Sequence, residues 1–418
     1  MQSFYINQRL NNYYLHAVKI PRKITTMLSH GFFMADYIPR KLFEILKRSK
    51  KSILLLGPRQ VGKSTLMENL DPDLSINLAH EFTYLEFASN PSALEERLGK
   101  IKQGTILLDE IQRLPSILNT IQVLIDNKKN NYRFLLTGSS ARKLKRGKAN
   151  LLPGRLHTFY LGPFTAEELH FDVDLQSLLA FGSLPGIVTE TDLNEKALTL
   201  KSYAATYLKE EVQAEALTKN IEGFSRFLYV AGAEVTHYLD LSKLASQAMI
   251  PRQSAVRYFE ILEDTLIVKR SDAFSKSVRK RLVQHPKFFF FDIGVLNGLI
   301  GNFIVSADRI GMLFEHFIFN QLNETASSMN ETIRISSYRT ENGAEVDFIV
   351  ENKNTIIAIE VKASKTVSQQ DLRGLKNFEQ YIGKTVRLVV LYLGDHPKIM
   401  DKVEILPWID FFKDNMLS

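Results

Sequence analysis

The sequence of 418 residues contains no cysteine, which excludes a disulfide scaffold and a zinc site built on thiolates. It also lacks any apolar run near the roughly 18 residues that a membrane-spanning helix needs. The four phenylalanines at residues 288–291 form only a short strand candidate that ends at Asp292. No basic flank followed by an apolar stretch marks a secretory signal. The sequence therefore predicts a cytoplasmic protein without a membrane partner.

Net charge is scarce outside one segment. The chain carries a formal charge of +7, and residues 1–50 hold nine Lys and Arg against Asp36 and Glu44. The remaining residues are balanced, so the high isoelectric point alone is weak evidence for a nucleic-acid partner. Residues 1–33 show little periodicity and predict a basic arm, either disordered or upstream of a native start at Met27 or Met34.

A phosphate-binding motif dominates the first half of the chain. Residues 52–66, SILLLGPRQVGKSTL, pass from an apolar run into G-x-x-x-x-G-K-S, whose glycines allow backbone turns that aim N–H groups at an anion. Lys63 supplies a positive charge for the β- and γ-phosphates, and the Ser64 hydroxyl suits Mg²⁺. A chance glycine-rich turn is the alternative to an ATP and Mg²⁺ site. The predicted nucleotide-binding residues are Gly57, Pro58, Arg59, Gln60, Val61, Gly62, Lys63, Ser64 and Thr65.

A second motif supplies acids. Residues 105–115, TILLDEIQRLP, run three apolar residues directly into Asp109 and Glu110. Asp109 is predicted to hold Mg²⁺ through water, and Glu110 is predicted to polarise the attacking water. Two acids at the end of an apolar strand are costly to bury unless a cation compensates them. A surface turn with two solvated acids is the alternative.

Three more polar residues are candidates for ATP hydrolysis. Residues 132–140, YRFLLTGSS, predict a buried strand whose end carries Thr137. Its hydroxyl is predicted to contact the γ-phosphate or the hydrolytic water, with capping of the next helix as the alternative. Arg142 and Arg155 are candidates for an arginine finger, and for each the alternative is an ordinary surface arginine.

The order of elements predicts a parallel sheet wrapped by helices up to about residue 165. Within it, residues 75–78 and 83–87 are strand candidates, and residues 91–98 and 117–125 are helix candidates. Residues 37–50 predict a lead-in helix. From residue 165 to residue 220 the pattern is helical.

Residues 241–270 predict a winged helix-turn-helix, with a turn at residues 249–251 and an extended LIVKR after the second helix. Val256, Phe259 and Leu262 are predicted to face inward. Residues 269–287, which end at Lys287, hold seven Lys and Arg against one Asp, a density that predicts phosphate contacts. A protein-docking element or a solvated basic face is the alternative. The nucleic-acid candidates are Arg252, Arg257, Lys269, Arg270, Arg279, Lys280 and Arg281.

Acidic residues mark a second site near the end of the chain. Residues 311–322 predict a buried helix that contains Glu315, and residues 344–350 and 355–364 predict strands joined by a turn. This pairing places Asp347 diagonally across from Glu360, and Glu360 and Lys362 project from one face. The pattern predicts a divalent metal held by Asp347 and Glu360, with Glu315 as a further ligand and Lys362 orienting the water. A solvated hairpin is the alternative.

The motifs together resemble a known family. The arrangement D-x₁₂-E-V-K resembles the PD-(D/E)XK nuclease core. With GPRQVGKST, LLDEIQ, LLTGSS, LPGR and FFFFDIGVL, the chain from about residue 34 resembles prokaryotic AAA-type ATPases that carry a C-terminal restriction-endonuclease-like domain. The resemblance implies a Mg-ATP site at residues 57–64, Asp109 and Glu110. It also implies a nuclease site at Asp347, Glu360 and Lys362, with Glu315 matching the acid of the first core helix. The usual Pro before the first acid is replaced by Glu345-Val346.

The expected fold class is α/β, with four parts. These are the basic arm (residues 1–33), a P-loop parallel-sheet ATPase domain (34–165), a helical region with a winged helix (166–300) and an α/β/α nuclease-like domain (301–418). The expected function is a Mg-ATP hydrolase whose nucleotide state controls a metal-dependent, DNA-acting C-terminal domain. The alternative is a non-cleaving ATP-dependent switch that binds nucleic acid or a protein. The expected nucleic acid is DNA rather than RNA, and a homo-oligomer is compatible with the sequence.

Overall fold

The computed structural model describes residues 37–99, 101–127, 131–139, 152–207, 220–275, 285–353 and 355–414. The chain divides after Tyr37, and every element below belongs to the unit that starts at Ile38. The predicted basic arm, Arg142, Arg279, Lys280 and Arg281 lie outside the described residues.

Five parallel strands form the N-terminal sheet of the described chain, in the order β2-β3-β4-β1-β5. Every residue of β1 is buried, as expected for a strand covered on both faces. The predicted parallel sheet is therefore confirmed. Its strands are β1 (Ser52–Leu56), β2 (Leu74–Asn77), β3 (Gln103–Asp109), β4 (Asn131–Gly138) and β5 (Leu156–Tyr160).

Helices cover this sheet, and one of them corrects a prediction. Residues 83–87, predicted as a strand, lie inside a helix in which only Phe87 is buried. Arg113 explains the difference, because its guanidinium pairs with Glu81 at 2.7 Å and lies over the Tyr84 ring, which holds the first helical turn. The helices are α1 (Leu42–Arg48), α2 (Lys63–Glu68), α3 (Glu81–Ser89), α4 (Ala93–Leu98) and α5 (Ile117–Asp126), with a 3₁₀ turn at Ile111–Arg113.

The middle of the described chain is helical, as predicted. The helix-turn-helix segment has a buried face made by Ala255, Tyr258, Phe259, Ile261 and Leu262, whereas Val256 is only half-buried. The elements are α6 (Leu175–Phe181), α7 (Pro185–Val188), α8 (Leu193–Ser202), a π-helical turn (Tyr203–Tyr207), α9 (Ile221–Ala233), α10 (Leu241–Gln247), α11 (Arg252–Asp264) and α12 (Ile293–Ile300).

Eight strands form a mixed second sheet in the described chain, in the order β12-β13-β11-β10-β9-β8-β6-β7. Strand β6 corresponds to the predicted wing, but it pairs with β8 as well as with β7, so it is not a free hairpin. The sheet therefore crosses the predicted boundary at residue 300. Its strands are β6 (Val268–Ala273), β7 (Lys287–Phe290), β8 (Arg334–Arg339), β9 (Glu345–Glu351), β10 (Ile356–Lys362), β11 (Arg387–Tyr392), β12 (Lys398–Met400) and β13 (Val403–Pro407).

Helices pack on both faces of the second sheet. Successive side chains of β9 point to opposite faces of the sheet. Phe348 packs with Phe314 and Phe319 on one face, and Ile349 packs with Phe378 on the other. The helices are α13 (Ile310–Ser328), α14 (Arg373–Ile382) and α15 (Trp408–Lys413), with a 3₁₀ turn at Gln369–Leu372. In the described ranges, no helix combines the length and the apolar character that crossing a bilayer requires.

Candidate functional site

The loop after β1 has the backbone geometry of a phosphate cradle. A Cβ on Gly57 would overlap the carbonyl oxygen of Leu161, so only glycine fits there. Gly62 has φ +88°, a conformation that residues with a side chain rarely adopt. The ammonium of Lys63 lies inside the loop, where it donates to the carbonyl oxygens of Gly57 at 2.9 Å and Pro58 at 2.7 Å. The loop therefore holds a buried positive charge beneath turned backbone.

The cradle meets the acidic motif at Ser64. Its hydroxyl lies 2.9 Å and 2.8 Å from the two carboxylate oxygens of Asp109, at the end of β3. A hydroxyl next to a carboxylate, both facing a phosphate loop, is a donor set that suits Mg²⁺. The residues present therefore fit the magnesium that the motif implies.

Thr137 is placed at this point by the strand order. Because β4 lies between β1 and β3, its carboxyl end emerges beside both motifs. The Thr137 hydroxyl contacts Asp109 and accepts the backbone N–H of Glu110 at 3.1 Å. Among the described residues, this hydroxyl therefore hydrogen-bonds to the acidic motif, and residues 140–151, on which the alternative of a helix cap depends, lie outside the described part of the chain.

Gln112 is a site residue that the sequence analysis missed. Its side chain is buried, and its amide nitrogen contacts the Glu110 carboxylate and lies 3.0 Å from the Ser139 hydroxyl. Glu110 itself has φ +60°, which turns its side chain out of the strand direction. The only signal in the sequence was an amide two residues after the acid. Gln112 holds the proposed catalytic carboxylate in place.

Arg155 is placed away from the cradle. It precedes β5, at the amino end of the sheet, whereas the cradle follows the carboxyl end of β1. Five strand residues separate the two ends, about 16 Å at the usual rise. Its guanidinium pairs with Asp126 at 2.6 Å and 2.8 Å, and each group favours the charged form of the other, which lowers the pKa of the Asp126 carboxyl. Arg155 therefore lies away from the cradle of its own chain, and its role as an arginine finger stays a prediction.

Arg40 braces the cradle from outside, and no motif predicted this. Its guanidinium donates to the carbonyl oxygens of Val61 at 2.9 Å and Gly162 at 2.9 Å, and to the carboxylate of Glu168 at 3.0 Å. The side chains of Arg40 and Glu168 are 6% and 0% exposed, so the pair is desolvated. Arg40 thereby joins the phosphate loop to the segment at residues 162–168.

Helix α13 docks on that same segment. The side-chain oxygen of Gln321 accepts the backbone N–H of Ala166 at 2.8 Å. Glu324 packs so closely on Gly162 that a Cβ there would overlap its carboxylate, and Glu324 also pairs with Lys269 of β6. The C-terminal sheet domain is therefore in direct contact with the backbone that Arg40 ties to the cradle.

The acids of the second predicted site surround Lys287, a residue that the sequence places in the basic run at residues 269–287. Lys287 was counted within a basic run for phosphate contact, but its side chain is only 4% exposed. Its ammonium lies 3.0 Å from Glu315, 3.0 Å from Glu345 and 3.7 Å from Asp347. This is a correction to the predicted basic face. The signal available was the position of Lys287 at the start of an otherwise phenylalanine-only strand.

The remaining predicted residues lie on β9 and β10. The observed register, continued by one pair, sets Asp347 directly opposite Glu360 rather than diagonally. Asp347 accepts the backbone N–H of Val361 at 2.9 Å, and the Lys362 ammonium pairs with Glu360 at 2.8 Å. Within the described residues, the second oxygen of Glu360 is buried without a hydrogen-bond partner. Glu360 and Lys362 line a cleft of about 550 Å³, together with Asn342, Gly343, Ala344, Glu345, Gln370, Asp371, Arg373, Gly374 and Asn377.

Negative charge is in excess at this second site. Among the described residues, the carboxyl groups of Glu315, Glu345, Asp347 and Glu360 form their ion pairs with the two ammonium groups of Lys287 and Lys362. Burial, followed by the charge of Asp347, raises the pKa of Glu315 and that of Glu360 to about 8 each. Burial disfavours charge on Lys287, but the carboxylates outweigh it, and its pKa is raised above the ordinary lysine value. The site therefore favours an additional proton or cation.

The excess carboxylates could neutralise a divalent cation here, but the side chains are not arranged as a complete metal site. In the part of the chain that the structure describes, no three acidic or histidine side chains are grouped closely enough to hold a metal ion. Asp347 lies between the other two predicted ligands, opposite Glu360 on β10 and beside Lys287, which also contacts Glu315. The partnerless oxygen of Glu360 and the excess charge fit a cation, so the second metal stays a prediction.

The described nucleic-acid candidates do not form an open basic face. Lys269 pairs with Glu324, and Arg270 lies 3.0 Å from Asp272 and 3.5 Å from Glu263. Arg252 donates to the Ser242 hydroxyl at 3.1 Å, and Arg257 is exposed on α11. Glu324, which is distant in the sequence, and the nearby acids Glu263 and Asp272 therefore neutralise the charges of Lys269 and Arg270.

Comparison with protein families divides the chain into three parts. Residues 49–170 match the model of an AAA domain family. Residues 172–304 and 310–411 match two domains of unknown function, DUF8612 and DUF4143. With the parallel five-stranded sheet and its phosphate loop, the first match identifies an AAA-type P-loop ATPase domain.

Two curated relatives extend over most of the chain. They are the uncharacterised proteins Mb2031c of Mycobacterium bovis and Rv2008c of Mycobacterium tuberculosis. Each is 25% identical over 357 residues, which is 82% of this chain and 77% of the relative. The likeness therefore includes the C-terminal region as well as the ATPase domain.

Solved structures match at low similarity. A Signal Transduction ATPase with Numerous Domains from Pyrococcus horikoshii is 13% identical, with a TM-score of 0.23, over 69% of this chain and 45% of its own length. NtrX from Brucella abortus, in complex with ATP, is 12% identical, with a TM-score of 0.25, over 53% of this chain and 66% of its own. TM-scores this low add nothing to the fold described above.

Proposed function

We propose that this protein hydrolyses Mg-ATP in its AAA-type domain and that the nucleotide state controls a metal-dependent site on the C-terminal sheet, which acts on DNA. The hydrogen bonds between Ser64 and Asp109 carry the first part, because they bring the phosphate loop and the acidic strand together. The contacts of Arg40 and α13 with residues 162–168 support the second part, because they join the two domains through one short segment.

Each residue of the ATP site has a defined task in this proposal. Lys63 and the backbone of residues 57–62 bind the β- and γ-phosphates, and Ser64 and Asp109 hold Mg²⁺. When bound there, Mg²⁺ would supply positive charge for the phosphate oxygens. Glu110 accepts a proton from the attacking water, whose oxygen bonds to the γ-phosphorus as the bond to ADP breaks. Gln112 keeps the Glu110 carboxylate directed at that water.

The C-terminal site is proposed to cleave a phosphodiester bond. Glu315, Asp347 and Glu360 would hold a divalent metal, which supplies charge stabilisation for the scissile phosphate. Lys362, at 2.8 Å from Glu360, would orient the water whose oxygen bonds to phosphorus. One P–O ester bond would break, and the proton that the water loses would be balanced by the proton that the leaving oxygen takes up. The cleft beside these residues, with Arg373 on its wall, is large enough to admit a phosphate and a sugar.

A non-cleaving switch is the second candidate, and one observation favours it. The acids surround Lys287, and in the described residues they are not grouped as a metal centre. In that reading the cleft binds nucleic acid or a partner, and ATP only sets the affinity.

The test compares cutting with binding. The full chain is incubated with supercoiled plasmid, single-stranded DNA or RNA, with Mg²⁺ or Mn²⁺, and with ATP, ADP or no nucleotide. Metal-dependent cutting that ATP changes and that Asp347→Asn removes supports the nuclease proposal. The exposed Asp395→Asn is the matched control and should cut as the wild type does. Cutting that survives Asp347→Asn rejects this site, and binding without cutting selects the switch.

A further inference from the structure

Lys287 makes contacts that the proposed chemistry does not use. We propose that its ammonium occupies the cation position of the C-terminal site, and that a divalent metal binds Glu315 and Asp347 only when Lys287 is displaced. This inference rests on the metal site proposed above, and it assigns Lys287 as a built-in competitor of that metal. Lys287 acts as a gate on metal loading and is not a catalytic residue.

The first argument is the shared position. Lys287 lies 3.0 Å from Glu315 and 3.7 Å from Asp347, and these carboxylates are two of the three proposed ligands. A metal bound to the same oxygens would lie within a few ångström of the ammonium. Two cations at that separation repel strongly where water is excluded. One must therefore leave before the other binds.

The second argument is that Lys287 is too buried to be an ordinary surface lysine. Its side chain is 4% exposed, its ammonium lies 5.4 Å from the centre of the Tyr238 ring, and Glu345 adds a third carboxylate at 3.0 Å. A desolvated ammonium is stable only where several acids compensate it. Lys287 supplies one positive charge beside three carboxylates, so two negative charges remain in excess. A divalent ion would neutralise that excess.

The third argument is the place of Lys287 in the fold. Strand β7 is the last strand of the second sheet, and its two edges bond to different elements. One edge pairs with β6, and at the other the N–H of Thr236 donates to the carbonyl oxygen of Phe288 at 3.3 Å and Tyr238 bridges to Lys287. Strand β7 continues through Asp292 into α12, which packs against α6 and α8 of the helical region. A rearrangement of those helices is thereby transmitted to Lys287. The withdrawal of this side chain is the proposed event that opens the site to metal.

The experiment measures Mn²⁺ binding alone, by isothermal titration of the full chain without nucleic acid. Lys287→Met should bind Mn²⁺ at least about tenfold more tightly than the wild type, because a competing charge is removed. Lys269→Met is the matched control, a lysine on the neighbouring strand paired with Glu324, and its Mn²⁺ affinity should equal that of the wild type. Adding Asp347→Asn to Lys287→Met should abolish the gain.

Folding is checked by circular dichroism and thermal melting, and Lys287→Gln is the second variant. Its amide can still donate to the carboxylates, so it preserves the fold if Lys287→Met does not, and the same gain is expected. Equal or weaker Mn²⁺ binding by a folded variant overturns the inference. If that variant still cuts DNA with Mn²⁺, the proposed function survives and only the gate is lost. If neither protein binds Mn²⁺, both the gate and the metal site are rejected.

Discussion

The hydroxyl of Ser64 donates to the carboxylate of Asp109, and the hydroxyl of Thr137 contacts the same carboxylate from the neighbouring strand. Three elements therefore meet at one point: the loop after β1, the end of β3 and the end of β4. This convergence requires β4 to lie between the other two strands, as it does. The phosphate loop and the acid strand are separated along the chain but share one hydrogen-bond network.

Glu110→Gln should separate nucleotide binding from turnover. The amide keeps the size of the side chain but cannot accept the proton, so ATP hydrolysis should fall by roughly 10²- to 10⁴-fold. Binding of a fluorescent ATP analogue should stay within a few-fold of wild type, whereas Lys63→Ala should lose it, because the phosphates then lack their cation. Phosphate release and fluorescence anisotropy measure the two effects. Undiminished turnover by Glu110→Gln would remove this residue from the mechanism.

The buried pair Arg40–Glu168 should behave as one unit. Arg40→Met leaves the fully buried Glu168 carboxylate unpaired and should lower the free energy of unfolding by roughly 3–5 kcal/mol. Arg40→Met with Glu168→Leu should lose much less, because no unpaired charge remains. Urea unfolding measures both, and the KM for ATP should rise in each variant because Val61 loses its donor.

An exposed pair provides the comparison for Arg40. Arg97 and Glu86 are 37% and 30% exposed, so Arg97→Met should change the free energy of unfolding by at most about 1 kcal/mol. A similar small effect for Arg40→Met would show that the brace contributes little to folding. A normal KM for ATP in that variant would show that it does not position the phosphate loop.

The sequence was sufficient for the phosphate loop because the motif itself dictates the backbone. Gly57 and Gly62 occupy positions where, respectively, close approach and positive φ require glycine. The contacts of Arg40 could not be predicted in the same way. Its partner Glu168 lies 128 positions away, and a single arginine within a basic segment carries no pattern. Long-range pairing of this kind becomes visible only when the strand order is known.

The second site was predicted in part for a related reason. Alternation along β9 and β10 correctly put Asp347, Glu360 and Lys362 together, because the period of a strand fixes which residues share a face. Lys287 was misassigned, since composition places it in a basic run while the fold buries it among acids. Residues 83–87 failed because their β-branched and aromatic side chains suggest a strand, but no strand neighbour is present in the described fold.

Gly162→Ala should weaken the contact between the domains. The added methyl group would overlap the Glu324 carboxylate, which is only 6% exposed and paired with Lys269, so relief requires either that Glu324 leaves this ion pair or that α13 shifts. We expect a loss of roughly 1–3 kcal/mol in stability. We also expect hydrogen exchange in α13 to stop responding to ATP while ATP turnover continues.

The control for this variant lies on the same helix. A Cβ on Gly311 meets nothing within 4 Å, so Gly311→Ala should be neutral or stabilise by up to about 1 kcal/mol. Its exchange should respond to ATP as in the wild type. If Gly162→Ala also keeps that response, the docked segment does not carry the coupling.

Asp292 and Asp240 both cap helices, but their stability contributions should depend on pH in opposite ways. Asp292 accepts the backbone N–H groups of Val295 at 3.0 Å and Ser183 at 2.9 Å, yet full burial outweighs these bonds and raises its pKa from 3.8 to about 6. Asp240 is exposed, and the N–H of Lys243 lowers the pKa of its carboxyl. Both carboxylates cap a helix, but the pKa is raised for the buried Asp292 and lowered for the exposed Asp240.

The pH dependence of unfolding should separate the two caps. A carboxyl with a raised native pKa stabilises the fold below its unfolded pKa, and this contribution is lost as pH rises through 6, at a cost of about 3 kcal/mol. About two thirds of this change falls between pH 4.5 and pH 7.5, so over that window Asp292→Asn should gain roughly 2 kcal/mol in free energy of unfolding relative to wild type. Asp240→Asn should show no such trend, because its carboxyl titrates below this window. A wild-type pH profile for Asp292→Asn would mean that this carboxyl is ionised in the native state at all these pH values.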